Sequence, residues 1–298
     1  MVIVSRGDGL HGGDGMRYLS RIAMLALMFA AGTVLAGTPD SRPVRDRIEA
    51  SMLVTGMVDI DPDGSVSSWK LDQLEKLPPA VTELLAGTIP GWRFKPILID
   101  GEPAAVRART SIRIQARKLD GDNFLVEVAG AHFGSHKDAD VPTYRRLTSP
   151  HYPTELAKAG AGGTVYLLVK IARDGSVEDA IAEQVNLKTI ASDPQMRRMR
   201  GRFEAAAIYA ARRWTFNPPV TPDDAPYWLV RVPVDFIAPG LRESGYGEWS
   251  AYIPGERRTN PWVQEDDRVS PDMLAAGGVY PVGLRGPELL TPLDVPQG

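Results

Sequence analysis

The chain has 298 residues, 43% of them apolar and 24% charged, an ordinary globular balance with room for two small domains. A formal net charge of −3 gives no footing for a nucleic-acid partner. With no cysteine, disulfides, thiol catalysis, thiolate metal sites and a lipid-modified N-terminal cysteine are all excluded. The charge is uneven: residues 239–298 carry nine acidic and five basic side chains, a net −4, so the remainder sums to −3 − (−4) = +1.

Residues 1–36 read as a signal peptide, with Met16 as the expected true start, because Met1 to Gly15 is polar, Gly-rich and without periodicity. Arg17 and Arg21 form a basic patch, Ile22 to Leu35 is apolar except for Gly32 and Thr33, and Ala36 closes the run. That is the n-region, h-region and cleavage-site order. The apolar run of 14 residues falls short of the ~20 that span a bilayer. Cleavage after Ala36 is therefore expected, with a periplasmic product; an uncleaved inner-membrane anchor at residues 22–35 is the alternative.

Residues 37–50 form a short linker, and a first domain spans 51–130. Ser51 to Ile60 alternates as a strand, Asp61-Pro-Asp-Gly64 makes a hairpin turn, and Ser65 to Leu71 returns. Pro78-Pro79 opens a helix whose apolar stripe is Val81, Leu84, Leu85, Ile89 and Trp92. Phe94 to Ile99 starts a strand, Asp100-Gly101 turns it, and Ala105 to Ala116 alternates Val106, Ala108, Ile112 and Ile114 with Arg107, Arg109, Arg113 and Gln115. One face of that sheet is expected to be core and the other solvated. Phe124 to Val128 is one more apolar run. Residues 131–147 read as an irregular linker.

A second domain spans 148–238. It opens with Pro150-His-Tyr-Pro153 and a short helix from Thr154 to Ala159; Thr164 to Ile171 is a strand with Val165, Leu167, Val169 and Ile171 on the core face. Arg173-Asp-Gly175 turns into Ser176 to Gln184, a helix runs from Arg200 to Arg213 and ends its stripe on Trp214, and Tyr227 to Phe236 closes. Residues 239–298, rich in Pro and Gly, read as a disordered tail with too little apolar surface to offset its ordering entropy.

The two domains look like one unit written twice. Each has a D-G hairpin, then a helix ending in W-x-F-x-P: Trp92-Arg-Phe-Lys-Pro96 and Trp214-Thr-Phe-Asn-Pro218. The hairpins are offset by 174 − 63 = 111, which also pairs Val54 with Val165, Val58 with Val169, Ile60 with Ile171 and Val66 with Val177. The tryptophans are offset by 214 − 92 = 122, which pairs Val106 with Trp228, Ile112 with Val234 and Ile114 with Phe236. An insertion of 122 − 111 = 11 residues therefore lies in the second copy between hairpin and helix end, placed at Asn186 to Met199.

On these residues the chain resembles the TonB C-terminal domain family, as two tandem TonB-like domains. The family's P-x-Y-P opening, G-x-V, D-G hairpin, Ala-rich helix and W-x-F-x-P correspond to Pro150-His-Tyr-Pro153, Gly163-Thr-Val165, Asp174-Gly175, Ala205-Ala-Ala207 and Trp214-Thr-Phe-Asn-Pro218. The first copy lacks the P-x-Y-P opening. The resemblance implies an α+β fold, each unit a short antiparallel sheet packed with one helix. It implies a periplasmic protein–protein interaction module that binds partner segments by β-strand addition. The partner would be a protein of the cell envelope such as an outer-membrane receptor. The alternative is an energy transducer held in the inner membrane by residues 22–35 and supporting transmembrane transport. Thr38 to Ala50 is only 13 residues, about 45 Å fully extended, a poor arm for that role.

The tryptophans, ending helix stripes, are expected to be core anchors rather than binding platforms. Arg107, Arg109 and Arg113 are read as a charged edge strand that resists aggregation. His132-x-x-x-His136-x-Asp138-x-Asp140 offers metal-ligand residue types but no recognised ligand spacing. No catalytic constellation stands out, so no enzyme activity, catalytic residue, metal or cofactor is expected. A homodimer is compatible with the sequence. The expected binding edge is Tyr227 to Phe236, where Pro233 cannot donate a ladder hydrogen bond and Tyr227, Trp228 and Phe236 supply apolar surface. The tail after Pro239 is an alternative occupant of that edge, and the first unit is expected to be structural or spacing.

Overall fold

The computed structural model describes residues 2–4, 44, 46–118, 124–134, 142–219, 225–263, 271–274, 278–282 and 286–293. The signal segment 1–36 and the anchor alternative at 22–35 lie outside them, apart from strand β1 (Val2–Val4). The described chain is α+β, antiparallel sheets with few helices.

The first unit contains β2 (Glu49–Ile60), β3 (Val66–Leu71), helix α1 (Pro79–Thr88), the small hairpin β4 (Leu98–Ile99) and β5 (Glu102–Pro103), then β6 (Val106–Lys118) and β7 (Phe124–Phe133). Buried and half-buried residues alternate along the whole of β2, as a strand with one face on a core requires. Pro79 sits in the first turn of α1, where its missing N–H costs nothing, and Val81, Leu84 and Leu85 are buried. Strands run β1-β7-β6-β2, with β3 on the far side of β2.

The second unit contains β8 (Thr143–Arg146), α2 (Thr154–Lys158), β9 (Gly163–Ile171), β10 (Val177–Leu187), α3 (Asp193–Ala211), β11 (Thr215–Asn217) and β12 (Trp228–Phe236). Two further strands lie in the tail, β13 (Ser250–Tyr252) and β14 (Tyr280–Pro281). The second sheet runs β10-β9-β12-β14, while β13 pairs with Glu49–Ser51 of β2.

The two sheets share one register. Val54 faces Ile112 across β2 and β6, and Val165 faces Val234 across β9 and β12, with both offsets intact. Both hairpins skip one residue on the return strand: Asp59 pairs Ser68 and Ile60 pairs Val66, while Lys170 pairs Asp179 and Ile171 pairs Val177. The skipped residues, Ser67 and Glu178, are again 178 − 67 = 111 apart. Such a bulge sharpens the strand twist that lets a helix pack on the sheet.

Three kinds of sequence expectation are corrected, the first being element bounds. Helix α3 begins at Asp193, not Arg200. Its start signal is Ser192, whose N–H donates to Gln195 Oε1 at 3.1 Å, with a proline in the first turn. An apolar-stripe reading misses this turn because Asp193 to Gln195 is polar; Met196 below it is fully buried. The inserted residues therefore lengthen β10 and α3 rather than forming a loop. The irregular linker at 131–147 is also corrected: residues 131–133 continue β7, and β8 pairs with β11.

The second correction concerns the arginine row. Strand β6 is interior, paired with β2 on one side and β7 on the other, so it is not an edge. Its arginines meet carboxylates: Arg107 with Asp59 at 2.6 Å, Arg109 with Asp72 at 3.3 Å, and Arg113 with Glu49 at 3.2 Å and Asp272 at 3.0 Å. Arg113 and Gln115 are buried, so that face of the sheet is covered over this stretch rather than solvated.

The third concerns the tail, whose described parts pack instead of being disordered. The Tyr246 hydroxyl donates to the Thr55 carbonyl at 3.2 Å and accepts from the Thr55 N–H at 3.1 Å. Ile253 and Leu187 exchange backbone bonds of 2.8 and 3.0 Å, and Arg258 N–H reaches the Glu183 carbonyl at 2.8 Å. Side chains fix the same stretch: Gly255 N–H donates to Asn186 Oδ1 at 3.0 Å and Gln184 Nε2 donates to the Gly255 carbonyl at 3.2 Å. The tail is low in apolar residues, but sheet edges supply the hydrogen bonds that its own sequence does not.

Candidate interaction site

Strand β12 lies beside β9 along its whole length, from Trp228 opposite Ile171 to Phe236 opposite Gly163. On its other side, among the described residues, Val230 and Arg231 are paired with β14, and Val282 N–H donates to the Leu229 carbonyl at 2.9 Å. In an antiparallel ladder, the N–H and C=O of one residue point the same way. Leu229, Arg231, Pro233 and Asp235 therefore turn outward. Pro233 has no N–H to present, as an outer position allows. The strand has an outer edge, and a piece of the tail, the alternative occupant, lies on part of it.

The side chains divide otherwise than expected. Phe236 supplies no surface; it is buried in the core, its ring 4.6 Å from that of Phe203. Its place opposite Gly163 turns it toward α3. Tyr227 and Trp228 are half-buried and lie under cations of β9 and its turn, Lys170 at 4.2 Å and Arg173 at 4.6 Å from the ring centres. Arg231 makes a two-pronged ion pair with Glu183 at 2.7 and 3.1 Å, with both side chains under a tenth exposed. Asp235 is held by Lys188 Nζ at 2.9 Å and by the Thr164 hydroxyl. Residue spacing shows no sign of either pair, because the partners come from another strand or its end.

A cleft beside Arg231, lined also by Glu183, Arg257 and Asn260, encloses about 150 Å³. That is below the ~300–1,000 Å³ of small-molecule sites. Of the metal-type residues, His136, Asp138 and Asp140 lie outside the described residues. His132 sits on β7, where burial pushes its imidazole pKa down. Among the described residues no group of three or more His, Cys, Asp or Glu could hold a metal ion, and no helix is long and apolar enough to cross a membrane.

Trp92 and Trp214 are core anchors, 1% and 3% exposed. They differ in their ring nitrogens. Trp214 Nε1 donates to the Thr148 carbonyl at 2.8 Å, while Trp92 Nε1 has no partner among the described residues. The P-x-Y-P opening explains this difference. It brings Thr148 to Trp214, sets Tyr152 against Phe203 and Phe236 at 5.9 and 5.6 Å, and directs the Tyr152 hydroxyl to the Ala161 carbonyl. The first unit lacks the opening; there Phe133 of β7 packs edge-on to Trp92 at 5.5 Å and Phe94 at 4.8 Å.

No curated protein and no solved structure matches the chain. TonB C-terminal domains are periplasmic, non-enzymatic interaction domains that contact envelope proteins such as outer-membrane receptors. Residues 148–237, the second unit with its β12 edge, match the family model described as the Gram-negative bacterial TonB protein C-terminal, which suggests a TonB-like interaction role in the envelope.

Proposed function

We propose that the chain is a periplasmic, non-enzymatic interaction module of two TonB C-terminal-like units, 51–130 and 148–238. It captures an extended segment of an envelope protein, such as an outer-membrane receptor, by strand addition at β12. The observation that carries this reading is the outer edge of β12, a nine-residue strand that among the described residues has only a short tail segment paired on that side. The shared register and the matching bulges support reading the two units as copies of one. The tail strand at 280–282 acts as a light cover that an incoming segment replaces.

A released module rather than a membrane-tethered transducer is also supported by the start of the chain. Val44 is buried in the second core, and Arg47 pairs with Asp193. Packing there shortens a spacer already too short to cross the periplasm. Export with cleavage after Ala36 gives Gly37 as the mature N-terminus, and the intact mass of periplasmic protein checks it.

The test places a photo-crosslinking residue at Ile237, the exposed residue that follows β12, in cells. The expected result is a crosslink to the periplasmic segment of an outer-membrane protein. Adding Leu229→Pro, which removes an outward backbone donor, should abolish that crosslink, and Leu229→Ala should retain it. Crosslinks to the chain's own tail alone would overturn the reading. Leu229 is a cleaner position for proline than Arg231, where the substitution would remove a backbone donor and strand the buried Glu183 charge together.

A further inference from the structure

Each W-x-F-x-P strand has an extended segment beside it. In the second unit, β11 (Thr215–Asn217) pairs antiparallel with β8 (Thr143–Arg146), the strand just ahead of the P-x-Y-P opening. In the first, Arg93–Lys95 receive Glu288–Leu290 from the far end of the chain. Lys95 N–H donates to the Glu288 carbonyl at 2.9 Å and Leu290 N–H to the Arg93 carbonyl at 2.8 Å. Phe94 pairs antiparallel with Leu289 between them. The middle phenylalanines are equivalent: Phe94 N–H donates to the Gly64 carbonyl at 2.7 Å and Phe216 N–H to Gly175 at 2.8 Å. With the middle residue turned inward, the residues on either side turn their backbone groups outward. Thr-Tyr-Arg-Arg and Glu-Leu-Leu-Thr share no side-chain pattern, yet they occupy the same edge. Backbone pairing holds both.

The variable positions of the motif then read the side chains of the incoming segment. In the first unit, Lys95 Nζ lies 3.4 Å from the Glu288 carboxylate, and Arg93 N–H donates to Thr291 Oγ1 at 2.7 Å. In the second, the Asn217 amide accepts from Arg145 Nε at 2.9 Å and donates to Thr143 Oγ1 at 3.3 Å. Lys95 meets a carboxylate, and Asn217 meets a guanidinium.

We propose that the Arg93–Lys95 edge is a second recognition site, for an extended segment ordered carboxylate, apolar, any residue with a backbone N–H, hydroxyl. Glu288–Thr291 is its built-in and displaceable occupant. The first unit is then a binding unit as well as a structural one. The site lies in the other unit from β12 and does not rest on the reading given for that strand. The exposed Lys95–Glu288 pair, 64% and 49% exposed, contributes selectivity more than strength. Main-chain bonds supply affinity and alternate side chains supply choice, as in strand addition generally.

The test uses the full chain carrying Leu289→Asp and Leu290→Pro, which removes the apolar contact and the donor to Arg93. The probe is a synthetic peptide of residues 286–293. In this opened chain the Lys95 amide exchanges its hydrogen at least about ten-fold faster than in the wild type, by loss of its strand partner. The peptide shifts the Phe94 and Lys95 amide resonances saturably. The wild-type chain responds at least about ten-fold more weakly, because a tethered occupant competes at millimolar effective concentration. Adding Lys95→Pro to the opened chain abolishes the response, and Lys95→Ala keeps it within about three-fold. A folded, opened chain that shows no saturable shift overturns the proposal, as does an equal response with Lys95→Pro. If the double variant does not fold, Leu290→Pro alone carries the exchange measurement, and an unchanged Lys95 rate then overturns it.

Discussion

In the first hairpin Asp61 and Ser65 close the turn with a backbone bond of 2.9 Å, and Gly64 N–H reaches the Asp61 carbonyl at 2.9 Å; in the second, Ala172, Ser176 and Gly175 repeat both bonds at the same length. Asp63 and Asp174 each accept from the following serine's N–H at 2.9 Å and its hydroxyl at 2.6 Å. Beyond the opening and the insertion, the units diverge at their closing strands. Strand β6 is succeeded by Phe124–Phe133, an alternating apolar run that folds back as β7 and makes β6 interior. Strand β12 is succeeded by Pro239-Gly240 and a polar tail, which among the described residues comes back beside β12 as β14. A turn is fixed by residues within it, whereas an edge is decided by the chain beyond it. One unit can therefore be held closed and its counterpart left able to pair.

The largest effects test whether the two cores are equivalent. Trp92→Ala and Trp214→Ala should each cost roughly 3–5 kcal/mol, the range for a buried aromatic truncated in a core. Urea denaturation followed by circular dichroism measures both, and midpoints equal to wild type for either would remove that tryptophan from its core. The phenylalanine variants sharpen the comparison. Trp214→Phe should cost about 1 kcal/mol more than Trp92→Phe, because only Trp214 Nε1 has a hydrogen bond to lose.

A second comparison sets a buried arginine against an exposed one. Arg231→Met leaves Glu183 charged and buried, at a cost of roughly 3 kcal/mol or more. Arg107→Met breaks a pair whose arginine is 61% exposed and should cost about 0–1 kcal/mol. Adding Glu183→Leu to Arg231→Met should recover most of the stability. A double variant no more stable than the single one would show that the ion pair, not the stranded charge, was the stabilising element.

The turns should respond alike. Gly64 and Gly175 have φ of +84° and +83°, and an added Cβ would lie 1.9 Å from the Phe94 carbonyl oxygen and 2.1 Å from that of Phe216. Alanine at either position should cost at least about 1–2 kcal/mol from the left-handed backbone alone, and more as the phenylalanine strand is pushed away. Losses differing several-fold between the two would break the equivalence of the hairpins.

The smallest effect is a titration. Hydrogen bonds from the Ser65 hydroxyl and then its N–H hold the Asp63 carboxyl below its ordinary value of 3.8, and Ser176 does the same for Asp174. A depressed pKa means stability that is present above the unfolded value and lost as pH falls through the folded one. Both hairpins should therefore loosen only below pH 3.8. Carboxyl NMR should show both residues titrating there, and Ser65→Ala should return Asp63 toward 3.8 while leaving Asp174 unmoved.

The sequence by itself determined the elements whose causes are local. Alternation placed β2 and β9, Asp-Gly placed both hairpins, prolines opened α1, and helix stripes ending on Trp92 and Trp214 marked the core. The constant offsets even carried the pairing register, since a strand read with period two can shift only by turning its apolar face outward. The first turn of α3 was also written locally, in Ser192 and Gln195, but as a capping signal rather than an apolar one. Tertiary structure alone decided which strands have neighbours. Nothing within Arg107–Arg113 reveals that β7 lies beyond it, and nothing within the tail reveals that Glu288 lies beside Lys95. Backbone hydrogen bonds carry no side-chain signature, so the edges they fill are visible only once the chain has folded.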